Sequence, residues 1–164
     1  GLLGYGGATA LGALALQAYQ NYQRKQGGAA PVPGDFAPAA LPHASPAADG
    51  SPFELALVRA MVGAAKADGH IDANEQQRLF AEVERLGLDA DAKAYIFDLL
   101  TQDVALYDLA RAATTPEQGA EIYLAARLAI DPDQPAEREY LDSLAARLRI
   151  PAELRATLDG TVKK

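Results

Sequence analysis

Two clusters of acids stand at matching places in this chain. Asp68, Asp72 and Glu75 fall within Ala64–Leu79, AAKADGHIDANEQQRL; Asp131, Asp133 and Glu137 fall within Ala126–Leu141, ARLAIDPDQPAEREYL. Each stretch breaks a small-residue helix at an aspartate, adds a second acid within a few residues and opens the next helix with a glutamate. A turn between helices can converge carboxylate and carbonyl oxygens, the donor set that hard cations such as Ca²⁺ or Mg²⁺ require. His70 would add a nitrogen ligand and move the preference toward a transition metal such as Zn²⁺ or Mn²⁺. A basic protein partner is the other ligand such a corner suits.

The loop spacing is not that of an EF-hand, whose twelve-residue pattern and terminal glutamate are missing. Helix capping offers a second account of the same residues. Asp72 and Glu75 suit the start of a helix, and Glu137 suits the positive end of the helix after Pro135. Capping accounts less well for Asp68, Asp131 and Asp133, because acids near a helix C-terminus oppose the macrodipole. The dipole mismatch favours a site.

No other residues compose a catalytic arrangement. His70 has neither a Ser-His-Asp nor a metal-hydrolase motif around it, and His43, Ser45 and Ser51 lie in a Pro-rich stretch. The chain has no cysteine, which removes disulfides, thiolate ligands and thiol chemistry together. The tyrosines Tyr95, Tyr107, Tyr123 and Tyr140 sit at helical spacing among apolar residues and are expected in the core.

The elements that would position the acids are all helical. Ser51-Pro52-Phe53-Glu54 is a complete capping box, and Phe53, Leu57, Ala60, Met61 and Ala64 then share one face up to a stop near Asp68-Gly69. A second helix starts at Asp72-x-x-Glu75, carries Leu79, Val83 and Leu86, and stops at Gly87. A third begins at Asp89 with Tyr95, Ile96, Leu99 and Leu100, and a short fourth follows Asp103. Thr115-Pro116-Glu117-Gln118 caps a fifth through Ile122, Ala125, Ala126 and Ala129. Pro132 and Pro135 end it and start a sixth with Leu141, Leu144 and Leu148; Pro151 starts a seventh with Leu154 and Leu158. No stretch alternates as a strand would. Arg85-Leu86-Gly87-Leu88 corresponds to Arg147-Leu148-Arg149-Ile150 at an offset of about 62 residues, so the helix–turn–helix unit is duplicated. The alanine-rich first and fifth helices are expected to pack closely at the centre.

Charge divides the chain. Before Phe53 the only bases are Arg24 and Lys25 and the only acids Asp35 and Asp49, so the helical part, residues 51–164, carries the whole net charge of −7. An acidic balance argues against nucleic acid as a partner. Residues 1–25 are Gly/Leu/Ala-rich, uncharged through Gln23, and end in Tyr19 and Tyr22 ahead of Arg24 and Lys25. That is the length and boundary pattern of a membrane helix with the later residues on the cytoplasmic side. The competing accounts are a flexible lead-in, an interfacial helix or a segment docked on a partner. Gly4, Ala8 and Gly12 would let two such helices pack, which leaves a homo-oligomer open. Residues 26–50 are Ala/Pro/Gly-rich and too poor in large apolar residues to fold alone, so a disordered linker is expected. The first residue is Gly1, as in a fragment of a longer chain.

The strings LVRAMVGAAKADGHIDANEQQRL and EIYLAARLAIDPDQPAEREYLDSLAARL resemble a bacterial family of uncharacterised inner-membrane proteins within the tellurite-resistance TerB-like superfamily. The resemblance covers about Ser51 to Leu158 and extends to the lead-in and linker. It implies an all-α, TerB-like compact domain of about seven helices with a pseudo-twofold repeat, placed at the bacterial inner membrane with the domain cytoplasmic. By motif match it also implies a metal at Asp68, Asp72 and Glu75, and at Asp131, Asp133 and Glu137 in the second copy. Pro132 stands where the first copy has Gly69, which alters the second loop. The family carries no agreed activity. The reading is a non-enzymatic, membrane-tethered module that binds a cation or a protein partner through the duplicated acidic turn. The alternative is a structural or protein-interaction domain whose acids are caps, and a metal-dependent hydrolase ranks third.

Overall fold

The computed structural model describes residues 8–25, 53–67, 73–84, 94–95, 97–99, 106–130 and 135–162. The described residues form helices and no strand. In chain order they are α1 (Ala8–Lys25), α2 (Phe53–Ala65), α3 (Ala73–Glu84), α4 (Leu106–Ala112), α5 (Pro116–Ala129), α6 (Pro135–Arg147) and α7 (Ala152–Val162). Residues 94–95 and 97–99 are also helical, within the span expected for the helix that begins at Asp89.

The fold is built around one helix pair. α2 and α5 pack against each other more extensively than any other two elements. Both are buried beyond a single stripe: Ala56, Leu57 and Val58 on α2 and Ile122, Tyr123, Leu124, Ala125 and Ala126 on α5 are all fully buried. A run of consecutive buried residues covers every side of a helix, so these two occupy the centre. Their alanines, including Ala60, Ala64, Ala125 and Ala126, leave room for close approach of the axes. Phe53, Met61, Leu79, Leu109, Leu141 and Leu144 fill the space around the pair. Each such side chain contributes about 1.5–3 kcal/mol when taken out of water.

Local chemistry sets the ends. Thr115 is the N-cap of α5, with φ −137° and ψ 159°, and its hydroxyl accepts from the Gln118 amide at 3.1 Å. Gln118 reaches back, accepting from the Thr114 amide and hydroxyl at 2.7 Å each. The box expected at Thr115–Gln118 therefore closes, with Thr114 as the return donor. α6 ends in a Schellman motif: Ile150 donates to the Ala145 carbonyl at 2.9 Å and Arg149 to Ala146 at 3.1 Å. Arg149 takes the left-handed conformation this requires, with φ 58°.

The lead-in helix does not stand apart. α1 lies against α5 and α7, and Ala15, Leu16 and Ala18 are buried with the core. Leu14, Tyr19 and Tyr22 pack on it from the side, with the two tyrosine rings 6.2 Å apart. Among the described residues no helix is long and apolar enough to cross a membrane. Residues 26–50, expected to be a linker, lie outside the described residues, as do residues 1–7.

Candidate functional site

The helices flanking both expected corners are present in the expected order. The first corner lies between α2 and α3 and the second between α5 and α6. Because α2 also touches α6, and α3 also touches α5, each half's second helix reaches the other half's central helix. Asp68, Asp72, Asp131 and Asp133 fall outside the described residues, and so does His70. Glu75 lies on the first turn of α3, with its side chain outside the described part.

Glu137 is the one expected ligand whose side chain is placed. It is the third residue of α6 and only 5 % exposed. Its Oε2 is out of contact with solvent. The first turn of a helix favours an anion through its free amides and dipole. That tendency explains a carboxylate at this position but does not require its burial. As donor chemistry, a buried carboxylate beside an acidic turn fits a hard cation. Among the described residues no three His, Cys, Asp or Glu side chains group closely enough to hold a metal. The described part of the second corner thus supplies one carboxylate, and any further ligands would come from residues 131–134.

Two polar features are not legible in the sequence. Glu121, in the middle of α5, is completely buried, including both carboxylate oxygens. Its place in the i, i+4 row with Glu117 gives it the look of an ordinary solvated face. The second feature joins three helices. Tyr123 on α5 donates from its hydroxyl to Asp159 Oδ1 at 2.7 Å and accepts from Arg155 Nε at 3.0 Å. Arg155 also pairs with Asp142 on α6 at 2.6 Å and lies 5.7 Å from the centre of the Tyr123 ring. Arg127 on α5 reaches Asp159 at 3.6 Å. Burial, then the hydrogen bond to Asp159, pushes the Tyr123 hydroxyl up to about 12. Tyr123 was expected as core, and its ring is; its hydroxyl has a second role that periodicity does not reveal. The i, i+4 spacing of Arg155 and Asp159 was the available signal.

Tyr140, one helical turn after Glu137, has a buried hydroxyl with no hydrogen-bond partner among the described residues. Burial pushes its pKa up. A neutral phenol held this way is a poor base.

A family model described as "Protein of unknown function (DUF533)" matches residues 1–162, and the chain belongs to that TerB-like family. An "Uncharacterized protein in ampR 5'region" of Yersinia enterocolitica is 29% identical over 108 residues, covering 66% of this chain and 78% of that protein. No solved structure matches.

Proposed function

We propose, with membership of the DUF533 family as the premise, that this chain is a non-catalytic helical module. In this reading its duplicated acidic corner binds a divalent cation and through it, or beside it, a protein partner. The observation that carries the reading is Glu137. It is a carboxylate only 5 % exposed at the start of α6, directly after the acidic turn in sequence, and so a hard oxygen donor of the kind such cations take. Asp131 and Asp133 precede it in the same corner, where the end of α5 disfavours negative charge. A cation would offset that cost. Oxygen donors alone favour Ca²⁺ or Mg²⁺ over Zn²⁺ or Mn²⁺.

The test is thermal unfolding of the full chain in EDTA and then with each of the four ions. A ligand that binds only the folded state stabilises it by RT ln(1 + [L]/Kd), so Tm should climb with ion concentration. Glu137→Gln or Asp131→Asn should remove most of that climb while leaving the EDTA midpoint within a few degrees. A midpoint that ignores all four ions would leave the acids as helix caps and the domain as a plain interaction module.

A further inference from the structure

Phe97 departs from the way this chain treats its large apolar side chains. Among the described residues it alone of them is exposed, at 58 %. Its placement follows from a neighbour. Leu99 is buried in the core cluster, and its carbonyl accepts from Lys66 Nζ at 3.3 Å. Residues 97–99 are helical, and positions two apart on a helix point about 200° away from each other. With Leu99 turned inward, Phe97 is held outward.

A single exposed apolar residue is common on protein surfaces, but Phe97 is backed by a second ring. Phe80 of α3 lies 5.4 Å away between ring centres, with the planes tilted by 44°. Phe80 is half-buried against the core, and Leu79 before it is fully buried. The pair is therefore an aromatic step fixed at its base and open at its outer edge. The segment that carries it is acidic. Residues 81–103, which include Phe97, hold six acids against two bases, so −4 of the chain's −7 falls in this stretch. Asp98, next to Phe97, and Glu84, one turn after Phe80 on α3, are both exposed.

We propose that the Phe80–Phe97 face is a docking surface for a basic protein segment, one that sets an apolar anchor against the two rings with Lys or Arg beside it. Charge selects this occupant. A second copy would bring an equally acidic stretch against the same face, and anionic lipid or nucleic acid would be repelled likewise. A basic segment is drawn in by the same field, and its Lys or Arg can also sit over a ring face. The rings then set how tightly it is held, because a few desolvated anchors carry most of the energy of such interfaces. This surface requires no metal, so it stands or falls apart from any cation at the acidic corner.

The experiment titrates the full chain, in EDTA, into a fluorescent synthetic peptide, a helix with Leu along one face and Lys and Arg on the other. Fluorescence anisotropy should show saturable binding that weakens as salt is raised. Phe97→Ser leaves the net charge unchanged and should weaken binding about tenfold or more, whereas Phe97→Leu should restore most of it. A peptide of the same composition with its leucines scattered should bind the unaltered chain no better than Phe97→Ser binds the original peptide. The thermal midpoint of Phe97→Ser should stay within a few degrees, as an exposed side chain requires. Equal binding by the unaltered and Phe97→Ser chains would overturn the proposal, because charge alone would then hold the peptide. The absence of saturable binding would overturn it too, and so would a Phe97→Ser chain that fails to fold. Self-association of the chain that Phe97→Ser abolishes would give the face to a second copy and overturn it equally.

Discussion

At the scale of single residues, the hydroxyl of Tyr123 is the most consequential atom described. Its ring is fully buried, yet its oxygen joins charged groups that are partly wet. Tyr123→Phe keeps the ring and removes two charge-assisted hydrogen bonds. Asp159 and Arg155 can regain water, so the loss should be about 1–2 kcal/mol rather than the larger cost of a sealed charge. Urea unfolding would measure it, with the slope unchanged. The same atom sets an alkaline limit. Folding moves the hydroxyl from 10.0 to about 12, through burial first and Asp159 second, so the folded state holds the proton more tightly than the unfolded chain. The stabilisation is complete below pH 10 and is lost as pH rises from 10 to about 12. Tyr123→Phe should flatten that decline. The part that persists should belong to Tyr140, whose buried hydroxyl is shifted in the same direction, and Tyr123→Phe with Tyr140→Phe should flatten it further. A decline unaltered by either change would place the alkaline sensitivity elsewhere.

At the scale of elements, backbone conformation matters more than contact. Arg149 sits at φ 58° in the turn after α6, where a side chain costs about 1 kcal/mol that glycine avoids. Arg149→Gly should therefore raise stability by about that amount, readable as an upward shift in the thermal midpoint. The opposite case is Gly160, inside α7, where a Cβ methyl would meet nothing within 4 Å; Gly160→Ala should add about 0.5–1 kcal/mol by helix propensity. If both changes prove neutral, α6 and α7 owe their ends to packing alone. The repeat sets Gly87 opposite Arg149 in sequence; glycine is the usual signal for a left-handed turn, and the arginine of the second copy hides it. Capping at Thr115 and the stripes of α2 and α5 were legible for the same local reason, since they depend on neighbours within a turn or two. The seat of α1 was not legible. Its partners come from the far end of the chain, and Ala15 and Ala18, which permit the close approach, look in sequence like a weak membrane helix. Glu121 was hidden likewise, because only the packing around α5 removes that face from water.

At the scale of the whole molecule, the two halves of the repeat share their core. α2 belongs to the first half and α5 to the second, and each covers apolar surface that the other would expose. Each half therefore depends on the other for part of its core. Leu124→Ala, at the centre of α5 and fully buried, should cost about 2–5 kcal/mol and lower the stability of α2 and α5 together. Native-state hydrogen exchange would separate this shared core from α1. Amides in α2 and α5 should exchange only through global unfolding, and Leu124→Ala should lower both by the same free energy. Amides in α1 should exchange through a smaller opening, because the described α1 residues in the core cluster are the small Ala15 and Ala18. Ala18→Gly should lower protection in α1 while leaving α2 and α5 protected to the global limit. If α1 instead tracked α2 and α5 at every denaturant concentration, it would be a full structural member of the core.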